Sequence, residues 1–298
     1  MSNMKTYFLV STCVLFWSIN FVLGRFVKDD ITPFELAFFR WFFVFAMISP
    51  ILITRHKKIL NCLKQNFIIL TTLSILGITA FNTLLYSALT KTTTTNALII
   101  NSTVPILILI MSFFILKQNI YLFQTIGIVF STFGVIFLIL KADISNIFVL
   151  QFNSGDIVVV IASITWALYS VLMKLKPKEL DNLEYFAIVV AIGFVLLLPV
   201  YLYQGYSWRQ EIEMLENNYW VFLYVSIFAS VLSYYLWHLG IEKIGPTKTG
   251  QFTHLMPIFG IVIASIFLNE TLEMYHMIGA VFIAAGIYLS LFYASKSK

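Results

Sequence analysis

At 298 residues, 60% of them hydrophobic and 11% charged, the chain is too apolar for a soluble domain, where about a quarter of residues carry charge. Mean hydropathy of +0.90 points to a bilayer as solvent, and two cysteines, Cys13 in an apolar stretch and Cys62 in a basic loop, make no disulfide framework. The net charge of +5 is expected in basic cytoplasmic loops, and no nucleic-acid partner is expected.

A helix needs about 20 apolar residues to cross the hydrocarbon core. Taken in order, ten stretches qualify: 5–25, 33–53, 67–89, 94–116, 120–140, 156–174, 183–204, 218–241, 247–268 and 274–293. The first has a lysine and an apolar run like a signal peptide, but no small-residue cleavage motif follows, so it reads as an uncleaved span. Runs this long favour helices over barrel strands, which are about ten residues with alternating polarity. The longest hydrophilic connections, near 141–156 and 204–218, leave no room for a soluble domain.

The chain repeats itself. Pro105, Leu116, Gly127, Val129, Phe130 and Gly134 recur as Pro257, Leu268, Gly279, Val281, Phe282 and Gly286, and Trp17 is matched by Trp166. The expected division is 1–148 and 149–298, each with five spans. An odd number of spans per copy makes the second enter the membrane from the opposite side. The expected fold is therefore all-α and integral to the membrane, with ten transmembrane helices in two inverted five-helix repeats and a substrate site between them. With the N-terminus inside, 13 of the 19 Lys and Arg residues fall on inner segments, 5 on outer ones, and Arg40 within a span. That asymmetry places both termini in the cytoplasm.

Several polar and aromatic side chains stand out within the spans. Trp17 and Asn20 mark the first, and Trp166 and Tyr169 the sixth. The two tryptophans lie mid-span, where they either line a pocket or pack helices. Arg40 lies seven residues into the second span, about 10 Å deep at 1.5 Å per residue. It is either an anchor for a carboxylate or phosphate, or a structural arginine that caps carbonyls or pairs with Glu35. Asn82 and Tyr86 share a face of the third span, and Tyr234 and His238 hold the corresponding positions in the eighth. Such paired faces suit a two-fold cavity, or else interhelical hydrogen bonding. The fourth and ninth spans add Asn96, Asn101 and Ser102, then Gln251, Thr253 and His254. Pro105 and Pro257 are expected in helix interiors, bending them. His238 and His254 are the histidines available within spans for proton coupling. The glycines of the fifth and tenth spans read as close-contact positions without a substrate role.

No H-E-x-x-H, G-x-S-x-G or phosphate-cradling loop is found, so neither an enzyme nor a bound cofactor is expected. Phe16-Trp17-Ser18-Ile19-Asn20-Phe21, Ile31-Thr32-Pro33-Phe34, Phe39-Arg40-Trp41-Phe42 and Phe267-Leu268-Asn269-Glu270-Thr271-Leu272 occur in order along the duplicated chain. In these the chain resembles the drug/metabolite transporter superfamily, in its EamA-type branch of ten-helix proteins. Two departures stand: Leu116-Lys117-Gln118-Asn119 replaces the acidic element in the first repeat, and the second repeat has no equivalent of Arg40. The resemblance implies transport of a small metabolite, with helices 1–4 and 6–9 around the cavity and helices 5 and 10 as a peripheral scaffold. The expected cargo is an amino acid or related compound, exported across the bacterial inner membrane by alternating access. The alternative is uptake or exchange of a larger anionic or adenosyl-containing metabolite.

Overall fold

The computed structural model describes residues 3–27, 29–143, 145–151, 153–267 and 272–293. Among these residues there is no strand, and nine helical segments are long and apolar enough to cross a membrane. The first seven and the last predicted spans appear within a few residues of their expected limits: Asn3–Gly24, Pro33–Thr54, Phe67–Leu89, Asn96–Leu116, Leu122–Ile139, Ser154–Leu175, Asn182–Tyr203 and Met274–Leu291. Large apolar side chains cover the outside, among them Phe114 at 72% and Val281 at 67% exposed, as lipid contact requires. The inside is packed with rings and small residues, and Trp41, Tyr169, Tyr185 and Tyr234 are almost fully enclosed. The chain is thus an all-α, multi-pass membrane protein.

Start signals in the sequence set several span ends. Thr32, Asn153 and Asp181 each form a reciprocal cap with the acidic residue three positions on, Glu35, Asp156 and Glu184. The eighth span differs from expectation. Its helix begins at Trp208, so the predicted hydrophilic connection 204–218 is largely helical. Asn218, with φ −122° and ψ 20°, kinks it there. Residues 208–217 carry Arg209, Glu211, Glu213 and Glu216, too many charges for the hydrocarbon core, so the span starts after the kink.

The fourth and ninth spans are broken at matching places. The fourth turns at Ser102–Thr103 between helices Thr94–Asn101 and Val104–Leu116. The ninth passes from Pro246–Gln251 through a tight 3₁₀ turn, Phe252–Leu255, to Met256–Phe267. Pro105 and Pro257 therefore sit in the first turn of a new helix rather than inside a continuous one. There the missing N–H costs no hydrogen bond. Leu268, Asn269, Glu270 and Thr271, part of the family-like element, lie outside the described residues.

Contacts between counterparts locate the symmetry between the repeats. Trp17 meets Trp166 with ring centroids 5.2 Å apart, and Phe130 meets Phe282 at 6.0 Å. Asn82 Nδ2 donates to Tyr234 Oη at 3.4 Å, and His254 Nε2 lies 2.9 Å from Ser102 O; both pairs are 152 residues apart. A residue can touch its own counterpart only near a two-fold axis. Spans 5 and 10 cross beside that axis through glycine. A Cβ on Gly286 would lie 2.5 Å from Gly127 O, and one on Gly134 2.9 Å from Gly279 O.

Candidate functional site: a buried arginine beside an aromatic cavity

The third and eighth spans each contain a π-helical stretch, Ile75–Ala80 and Ile227–Leu232, at equivalent positions of the two repeats. A π turn displaces the hydrogen-bond ladder and leaves carbonyls open to side chains. Gly77 O takes the Tyr234 hydroxyl at 2.7 Å. Its counterpart, Ala229 O, accepts Trp17 Nε1 at 3.0 Å and Arg40 Nη2 at 2.8 Å.

Arg40 is held by four such contacts. Besides Ala229 O, its Nε donates to Ser230 Oγ at 2.6 Å, and its Nη1 to Asn82 Oδ1 at 3.1 Å and Tyr86 Oη at 2.9 Å. The guanidinium also lies 5.2 Å from the Trp41 ring centroid. Every acceptor is neutral. Arg40 is 2% exposed, and the ion pairs among the described residues, Arg55–Glu184 and Lys58–Glu184, do not involve it. The expected alternative of a pairing with Glu35 is not formed, because Glu35 bonds the backbone N–H of Thr32 at the end of the same helix. Four of the five guanidinium N–H groups are engaged, so one donor remains.

Against this arginine lies a cavity of about 40 Å³. Eight of the predicted residues line it: Trp17, Asn20, Arg40, Asn82, Tyr86, Asn101, Trp166 and Tyr234. Among the described residues, Asn20 and Asn101 have no side-chain hydrogen-bond partner. Phe21, Phe81, Leu85, Val104, Thr253 and Met256 complete the wall. The rings pack edge to face or tilted, with Trp17 against Trp237 at 5.1 Å and Phe81 against Trp166 at 4.8 Å. The larger opening, about 770 Å³ at the 174–183 end of spans 6 to 8, contains none of the predicted residues and is bordered by lysines.

The other four predicted residues lie away from the cavity wall. Tyr169 Oη and His238 Nε2 are 2.6 Å apart, and the His238 ring packs among Tyr185, Phe186 and Tyr234. His254 and Gln251 turn toward the fifth span, where Ser131 Oγ meets His254 Nδ1 at 2.7 Å and accepts Gln251 Nε2 at 2.9 Å. They join broken span 9 to span 5. Ser230 and the Ala229 carbonyl are the parts of the arginine cage that sequence reading missed. The signal that could have found them is the offset of 152 between counterparts, which carries the Gly77 region onto Ala229.

A helical membrane protein with two matching sets of broken helices around a buried cation is built as a solute carrier. The EamA-like transporter family model matches residues 4–140 and again 153–292, so the chain belongs to that family, within the drug/metabolite transporter superfamily, and is a transporter rather than an enzyme. It is 28% identical over 288 residues to the uncharacterized transporter YyaM of Bacillus subtilis (strain 168), covering 96% of this chain and 93% of that one. An uncharacterized transporter of Archaeoglobus fulgidus is 25% identical over 97% of this chain and 98% of its own. A crystal structure with 16% sequence identity superposes with a TM-score of 0.77 over 98% of both chains, which supports the fold.

Proposed function

We propose that this transporter is a secondary carrier for a small carboxylate-bearing metabolite, an amino acid or related compound. It works by alternating access between two repeats that join near residues 148 and 149. It resides in the bacterial inner membrane with both termini in the cytoplasm, and export is the direction that the family resemblance supports. The observation that carries the reading is Arg40, a buried cation with only neutral partners, one remaining donor and a cavity at its side. Burying an unpaired charge at membrane depth is costly, and a carboxylate would offset that cost. Asn20 and Asn101 would bind the polar backbone of such a cargo, and the tryptophans its apolar part. Because sites for drug-sized ligands measure roughly 300 Å³ or more, loading the 40 Å³ cavity requires the spans to part, which favours a small cargo. The paired Trp17 and Trp166 rings would also stack on a flat heterocycle, the feature in favour of an adenosyl-containing cargo.

Counterflow in proteoliposomes, with labelled amino acids set against nucleoside derivatives, separates the two. Arg40→Ala is expected to weaken cargo binding by about 2–5 kcal/mol, and Arg40→Lys by less because it keeps the charge. Equal transport of the cargo and its carboxylate-free amine would overturn the reading.

A further inference from the structure

Glu35 and Glu184 are counterparts in the two repeats, and each closes the reciprocal cap on the first turn of its span. Their surroundings are opposite. Glu184, 2% exposed, is met by Arg55 at 3.5 Å and Lys58 at 2.5 Å. Glu35, 9% exposed, is in no ion pair among the described residues and faces a second acid, Glu211. Glu211 belongs to the charged helix that precedes the Asn218 kink. It is 3% exposed, and neither carboxyl oxygen has a hydrogen-bond partner of good geometry among the described residues. The other titratable groups facing the pair are the phenols of Tyr201 and Tyr206, and Tyr206 Oη lies 2.9 Å from Thr32 Oγ1 of the same cap. Burial, with the neighbouring Glu35 carboxyl, holds Glu211 above the usual carboxylate range.

We propose that Glu35 and Glu211 form a proton-binding site, one proton shared between two carboxyls, that fastens helix 208–217 over the end of span 2. A small rotation of the Glu211 side chain would let a single O–H···O⁻ bond satisfy both groups. Deprotonation leaves two buried carboxylates facing each other, and the kink at Asn218 is the place where the helix can swing away. The folded form favours protonated Glu211, so the stabilisation from that proton is present at low pH and is lost as pH rises through the titration of Glu211. Proton binding stands apart from the carrier reading; only its use as a gate rests on it.

The test is infrared titration of the full chain in lipid vesicles, with no cargo present. A protonated-carboxyl C=O band at neutral pH should vanish on alkalinisation. Glu211→Gln should remove it, while Glu213→Gln, an exposed acid on the same helix, should keep it. Glu35→Gln should move the midpoint down by about one pH unit, a tenfold change in proton affinity. Amide exchange in 208–217, corrected for its intrinsic pH dependence, should rise with loss of the band. Absence of the band in the wild type, an unmoved midpoint in Glu35→Gln, a wild-type titration in Glu211→Gln, or amide exchange in 208–217 that does not follow the band would each overturn the proposal. So would a shift produced by sodium chloride but not choline chloride, which would mark a metal cation instead. The wild type and Glu35→Gln decide the matter even if Glu211→Gln does not fold. Failure of the Arg40 experiment would leave this result untouched.

Discussion

Arg40 depends on Tyr86 as the one phenolic acceptor in its cage. Tyr86→Phe keeps the ring but leaves a buried Nη1 hydrogen without that partner. Such an orphan costs about 1–3 kcal/mol. We expect a lower unfolding midpoint in detergent and a weaker apparent cargo affinity; unchanged values in both would mean that the phenol is dispensable. As a membrane-depth cation, Arg40 was legible in the sequence, and so were the four-residue pairs Asn82/Tyr86 and Tyr234/His238. The sequence does not give the rotation of each helix about its axis. That rotation puts Tyr234 on the cavity and buries His238 one turn further on among aromatic rings. Ser230 escaped notice because a serine in an apolar run is ordinary, and Ala229 because a carbonyl carries no side-chain signal.

The elements were legible where periodicity is long and poorly legible where the helix departs from the α ladder. Eight spans agree with their apolar runs to within a few residues. The charged helix 208–217 reads as a connection because it lacks an apolar run. The breaks at 102–103 and 252–255 read only as bends within continuous spans, because proline marks a disturbance without saying on which side of it the ladder stops. The glycine seam was legible as spacing, and its geometry makes a sharp expectation. A side chain at Gly286 would run into the backbone of Gly127 and Ser131. Overpacking usually costs about 1–3 kcal/mol, and a backbone obstacle belongs at the upper end. Gly286→Val should therefore lower the unfolding midpoint clearly, whereas a valine at Gly24, where a Cβ meets nothing within 4 Å, should not. Equal midpoints would remove spans 5 and 10 from the list of rigid contacts.

At the scale of the whole molecule, the repeat and the charge asymmetry together predict sidedness. Ser154 and Lys57 are both exposed, next to predicted outer and inner segments respectively. In a background without Cys13 and Cys62, a membrane-impermeant thiol reagent should modify Ser154→Cys in intact cells and Lys57→Cys only after permeabilisation. The reverse pattern would invert the assignment.

The lone charge of Arg40 also has an electrical meaning. In the alternating-access cycle proposed above, the voltage drop would move to the closed side as access passes from one face to the other, and a fixed charge at the site would cross part of the field. A full crossing is worth about 2.3 kcal/mol per 100 mV. On the proposed reading a zwitterionic amino acid would leave that positive charge in place, whereas a mono-anionic carboxylate would cancel it, so that its loaded carrier turns over nearly blind to voltage. The empty one, with its positive site, feels the membrane potential. For such a mono-anion, exchange of one cargo molecule for another should be electrically silent, while net movement, which includes the empty return, should be driven or braked by the voltage across the cell; for a zwitterion, the loaded and empty forms should respond to voltage alike.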